Sequence, residues 1–160
     1  MAAESRIPAR PGERELVLTR IFDAPRPMVY RAWVDIGQVE EWWGPRGFTM
    51  VSCEMDVRPG GKWRKEIRSP EGRVFLRYGV YREVVEPERL VFTYVTDDDG
   101  GARDHETTVT VLFAEAGKDR TRLTLWQTGF DTIASAQSHT GGWGSAMDVF
   151  ADYLKVLRAR

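Results

Sequence analysis

Lys65, Tyr78, Tyr94 and Gln127 are the polar side chains that strand alternation sets on otherwise apolar faces, and any chemistry of this chain starts from them. Each needs a hydrogen-bond partner once buried, and an unpaired lysine charge is costly to bury. Polar groups spread through an apolar, aromatic surface are what a ligand cavity requires: the walls hold a molecule and the polar groups orient it. The same spacing fits a lysine that snorkels to a sheet edge and tyrosines that turn their hydroxyls to water. If the cavity instead converts its ligand, Lys65, Tyr78 or Tyr94 would be acid or base, with a pKa set by burial.

Other chemistries find less support. Zinc needs three or four ligands, and Cys53, His105 and His139 are scattered without paired spacing. The single cysteine excludes an internal disulfide; Cys53 lies in FTMVSCEMDV with no histidine beside it and reads as a buried strand thiol rather than a nucleophile. His105 sits in DDDGGARDHE and is expected to be solvated, while Asp97, Asp98, Asp99 and Asp104 of that stretch miss the register of a calcium loop. His139 precedes the last helix, with Thr140 as its N-cap, and is expected at the surface. No dinucleotide fingerprint, Walker loop or nucleophile elbow occurs, so no metal and no cofactor is expected.

At 160 residues, with 42% hydrophobic and 29% charged side chains, the chain fits one globular domain with one core. The 23 basic residues balance 24 acidic ones without clustering, so nucleic acid is not an indicated partner. No apolar run approaches the roughly 20 residues of a membrane span. The opening MAAESRIPARPGERE is polar, with no apolar centre, so the expectation is a cytoplasmic protein whose first 13 residues form a loose arm and whose residues 14–160 form the domain.

The elements that must position the polar groups follow from periodicity. ELVLTRIF (15–22) alternates as a strand, and Val29, Ala32, Trp33 and Ile36 make the stripe of a helix that tolerates prolines in its first turn. After Gly37 a second short helix, QVEEWW, ends at Gly44-Pro45. Six strands with hairpin-length links then read as an antiparallel meander, and a long helix from about Thr140 carries Trp143, Met147, Phe150, Leu154 and Leu157 on one stripe.

Alternation divides the strands into faces. The inner face is assigned Trp63, Lys65 and Ile67, then Leu76, Tyr78, Val80 and Val84, then Leu90, Phe92 and Tyr94. Val109, Val111 and Phe113 follow, with Leu123, Leu125 and Gln127 last. Tyr81 and Trp126 fall on the outer face as a patch for self-association, and a monomer or weak homodimer is expected.

The segments IFDAPRPMVYRAWVD, EEWWGPRGF, DVRPGGKWR, GVYREVVEPERLVFTY and TGGWGSAMDVFADYL, in this order, resemble the bacterial proteins related to the C-terminal domain of the activator of Hsp90 ATPase, within the START-like, Bet v 1-like helix-grip superfamily. The resemblance spans residues 14–158 and implies an α+β fold: a curved antiparallel sheet gripping the C-terminal helix, with a hydrophobic cavity between them. It implies that the short helices close one end of the sheet, with one of Trp42 and Trp43 in the core and the other at the cavity mouth. The leading expectation is a binder of a small lipophilic or aromatic molecule, oriented by Lys65, Tyr78, Tyr94 and Gln127. Its walls would be Trp63, Phe92, Val109, Val111, Leu125, Trp143, Met147 and Phe150. Two other classes stay open: an Hsp90-type co-chaperone, although this chain has no room for the eukaryotic protein's additional N-terminal domain, and a cavity enzyme of cyclase or hydrolase type.

Overall fold

A computed structural model describes residues 7–8, 10–96 and 105–160. Most of the N-terminal arm's first residues and the acidic stretch with Asp97, Asp98, Asp99 and Asp104 lie outside the described residues.

Strand β1 (Glu15–Phe22) leads into helix α1 (Arg26–Val34), whose first turn holds Pro27 at a position where a missing N–H costs nothing. Asp35 ends α1 and starts α2 (Ile36–Trp42), its carboxylate accepting from the Gly37 N–H at 3.2 Å. Ile36 therefore opens the second helix and is largely exposed; it does not continue the α1 stripe. Six strands follow: β2 (Thr49–Met55), β3 (Lys62–Arg68), β4 (Val74–Val85), β5 (Arg89–Thr96), β6 (His105–Glu115) and β7 (Thr121–Thr128). Helix α3 (Ile133–Arg158) closes the chain.

The strands form one antiparallel sheet in the order β1-β7-β6-β5-β4-β3-β2. The meander is present as read, and β1 pairs along its whole length with β7, from Glu15 opposite Thr128 to Phe22 opposite Thr121. The inner face grips α3, which buries Trp143, Ala146, Met147, Phe150 and Leu154 against it. This is the helix-grip arrangement. Trp33, Trp42, Phe113 and Phe150 interlock between α1, α2, the sheet and α3, with Trp42 and Phe150 ring centres 4.4 Å apart.

Two boundaries differ from the reading of the sequence. Helix α3 begins seven residues before Thr140: Thr132 is the cap, its hydroxyl accepting from the Ser135 N–H at 3.0 Å. Gly141, Gly142 and Gly144 imitate a break, each costing about 1 kcal/mol against alanine in a helix, yet the packed stripe carries the helix through them.

The second difference reverses a face. Tyr81 pairs with Phe92 but Glu83 pairs with Val91, so β4 holds one extra residue, Arg82, in a bulge. Phasing the strand from Val84 is right beyond the bulge and inverted before it. Phe75, Arg77, Gly79 and Tyr81 occupy the inner face, paired across β3 with Ile67, Lys65 and Trp63. Tyr78, opposite Arg64 and Val95, lies on the outer face with Leu76 and Val80, and Tyr81 is buried rather than part of an outer patch. Gly79 is required where it stands: a side chain would overlap the Thr93 carbonyl, to which the Trp63 indole N–H donates at 3.1 Å.

Candidate ligand-binding site

Gly44 stops α2 with φ at +115°, a conformation natural to glycine, and Pro45 turns the chain toward β2. The two tryptophans before it diverge because Trp42 is the last helical residue while Trp43 is already extended, at φ −71° and ψ 127°. Trp42 enters the core and donates its indole N–H to the Ala32 carbonyl at 3.0 Å. Trp43 swings to the other side, toward β3 and α3.

There it walls a pocket of about 220 Å³. The turn contributes Trp43, Gly44, Pro45 and Phe48; the sheet contributes Ile67, Phe75, Arg77 and Tyr94; α3 contributes Ser138, His139, Gly142, Trp143 and Ala146. Gly142 keeps the α3 wall low, since a methyl there would meet only Pro45, at 4.0 Å.

Polar groups at the pocket are held by specific partners. The Arg77 guanidinium donates through Nε to the Tyr94 hydroxyl at 3.2 Å and through Nη1 to the Leu76 carbonyl at 3.1 Å. His139 donates from Nδ1 to the Ser135 carbonyl at 2.8 Å, and its ring leans on Phe130 and Tyr94. Behind the wall runs a buried chain of bonds. Trp143 Nε1 donates to Gln127 Oε1, Gln127 Nε2 donates to Thr107 Oγ1, and Thr107 Oγ1 donates to the Tyr94 carbonyl, each at 2.8 Å. This chain locks the Trp143 indole and ties it to Tyr94.

Lys65 stands behind Trp43 rather than on the pocket surface, 6% exposed, its Nζ 4.6 Å from the ring centres of both Trp43 and Trp63. Burial pulls its amine down from the ordinary 10.5 to about 8, while its cross-strand neighbour Cys53 acts in the opposite direction. Cys53 is half-buried, and burial pushes its thiol up despite the lysine.

Of the residues expected at the site, Trp43, Tyr94 and Trp143 meet in the pocket. Trp42, Trp63, Phe92, Val109, Val111, Leu125, Met147 and Phe150 are packed core that supports it. Gln127 positions Trp143 and has no exposed surface for a ligand, and Tyr78 faces away, across the sheet. His139 belongs to the wall and not to a surface cap, because α3 starts earlier than the glycines imply. Phe75 and Arg77 were hidden by the β4 bulge. The signal that finds them is the small Gly79 opposite bulky Trp63, which phases β4 correctly. Among the described residues, no three His, Cys, Asp or Glu side chains converge as a metal site would require.

A seven-stranded sheet wrapped on one long helix, with an aromatic pocket at the end closed by two short helices, defines a helix-grip protein. The family described as activator of Hsp90 ATPase homolog 1-like protein matches residues 23–155, and the chain belongs to it. No curated protein matches the sequence. Among solved structures, a Nitrosomonas europaea protein is similar with a TM-score of 0.77 at 24% identity, covering 94% of this chain and 100% of its own. A Chromobacterium violaceum protein has a TM-score of 0.76 at 26% identity, over 87% of this chain and 95% of that one. A Silicibacter pomeroyi protein has a TM-score of 0.79 at 24% identity, over 89% and 98%. These likenesses carry the fold. No helix among the described residues is long and apolar enough to cross a membrane.

Proposed function

We propose that the protein binds a small lipophilic or aromatic molecule in the pocket that the packed rings of Trp43, Tyr94 and Trp143 border on one side and Phe48, Phe75 and Ile67 on the other. The observation that carries this reading is an opening lined by the rings of Trp43, Phe48, Phe75, Tyr94 and Trp143, with the Trp143 indole held from behind by Gln127 and the Trp43 ring packed on Lys65. Apolar burial worth about 25 cal/mol per Å², less the costs of association, supplies the affinity. At about 220 Å³ the space is smaller than the roughly 300 Å³ at which pockets for drug-sized ligands begin, so it suits a molecule of one or two rings. Binding is favoured over conversion because, of Lys65, Tyr78 and Tyr94, the pocket lining includes Tyr94 alone, while Tyr78 lies on the other face of the sheet.

The test is native mass spectrometry after exposure to a lipid and metabolite extract, for the wild type and for Gly142→Leu. Gly142 lines the pocket, an added Cβ there meets only the Pro45 side chain at 4.0 Å, and leucine favours the helix. The expected result is an adduct of defined mass on the wild type that the variant loses. An adduct that persists in Gly142→Leu, or none from any extract, overturns the reading.

A further inference from the structure

The turn from Gly44 to Phe48 has open space on two sides. The pocket described above lies on one side, and a second space, also of about 220 Å³, lies on the other. The second is walled by Glu40, Glu41 and Trp42 at the end of α2, by Thr49 and Met50 of β2, and by Val149 of α3. The residues common to both are Trp43, Gly44, Pro45 and Phe48, so the turn is the partition between them.

This partition is weakly anchored. The strands around it are held by ladders of hydrogen bonds, Trp143 by Gln127, and Trp43 by its N–H on the Val39 carbonyl at the end of α2. Beyond Trp43 the turn's own backbone bond is internal, from the Phe48 N–H to the Pro45 carbonyl at 3.0 Å. Its hydrogen bonds to other elements, among the described residues, both run from Arg46 to α3. The Arg46 N–H donates to Ser145 Oγ at 2.9 Å, and the guanidinium pairs with Asp152 at 3.0 Å in an exposed bridge of the kind that contributes little. Gly44, with φ at +115°, and Gly47, with φ at +90°, flank Pro45 and Arg46, and glycines absorb backbone rotation at low cost. On the sheet side the contact is apolar, with the Phe48 and Phe75 ring centres 5.9 Å apart.

Resting on the binding reading above, we infer that the turn is a gate that withdraws into the second space, so that the site also admits aromatic molecules of three or four fused rings. With the turn seated, Pro45 and Phe48 limit the pocket. When the two Arg46 contacts release, these side chains move toward Met50 and Val149, and the pocket lengthens toward α2 while the packed indoles of Trp43 and Trp143 stay in place. A large ligand selects the withdrawn state because that state alone accommodates it. The cost is one hydrogen bond and one exposed ion pair, and the gain is the apolar area of the additional rings.

The experiment titrates the full chain at pH 7 with 2-naphthol and with 1-hydroxypyrene, two phenols of different size, followed by tryptophan fluorescence. The wild type is expected to bind both. Two variants hold the gate shut by different means. Arg46→Cys with Ser145→Cys, oxidised, ties the turn to α3 where the two residues already touch, and Val149→Phe fills the second space from a position outside the pocket. Each is expected to weaken 1-hydroxypyrene about tenfold or more and to leave 2-naphthol unchanged, with reduction restoring the pyrene in the disulfide variant. A wild type that binds 2-naphthol and not 1-hydroxypyrene overturns the gate and leaves the pocket reading intact. Binding of neither overturns both. A folded variant that keeps its affinity for the pyrene, or loses both probes equally, also overturns the gate. If one variant fails to fold, the other decides, and the wild-type comparison stands in either case.

Discussion

Lys65 is where residue-level physics is most exposed to test. Its amine is pulled down to about 8 from 10.5 because burial disfavours the ammonium more than the neighbouring Cys53 favours it. The folded state therefore binds its proton more weakly than the unfolded chain, so Lys65 costs stability at neutral pH, by a few kcal/mol, and that cost disappears as pH rises from about 8 through 10.5. Lys65→Met, which keeps an apolar stem between the rings, is expected to raise stability to denaturant by about 1–3 kcal/mol at pH 7, with a smaller gain at pH 10. A variant less stable than wild type at pH 7 would show that the tryptophans more than compensate the lost hydration. At this scale, strand and helix periodicity turned Tyr94 and Trp143 toward the space between sheet and helix, and the family resemblance implied the split between Trp42 and Trp43. It concealed Arg77 and Phe75, whose facing depends on a single bulged residue that no local pattern marks.

Glycines decide several of the elements, and for opposite reasons. Gly79 in β4 sits under the Trp63 indole, where an added methyl would run into the Thr93 carbonyl of β5. Gly142 in α3 faces open space, with Pro45 the nearest atom to any added methyl. The same substitution therefore has opposite signs: Gly79→Ala is expected to lose about 3 kcal/mol or more by forcing strands apart, and Gly142→Ala to gain up to about 1 kcal/mol from helix propensity. Equilibrium unfolding of the two variants checks this, and matching effects would mean that the local spaces are not as described. Strand order and the central stripe of α3 were legible because period-2 and period-3.6 patterns are strong in them. The start of α3 was not, since Gly141, Gly142 and Gly144 carry a local preference that packing of Trp143, Met147 and Phe150 overrides.

For the molecule as a whole, the sheet grips α3 with the fully buried Met147 and Phe150 at its centre, and the pocket opens only where the glycine-rich first half of the helix passes the Trp43 turn. The pocket is thus cut into one end of the core, its walls Trp43, Ile67, Tyr94 and Trp143 belonging to the same buried cluster. A ligand occupying the pocket stabilises the fold by mass action, about 2.7 kcal/mol at a hundred times its Kd, without displacing core side chains. The most direct measurement is the set of nuclear Overhauser contacts between bound 2-naphthol, a two-ring aromatic probe, and the protein. The account predicts contacts from the naphthalene ring to the indole protons of Trp43 and Trp143 and to the ring of Tyr94, and none to Val111 or Leu125 in the core. Contacts confined to the outer face of the sheet, at Trp126, Tyr78 or Val95, would contradict it.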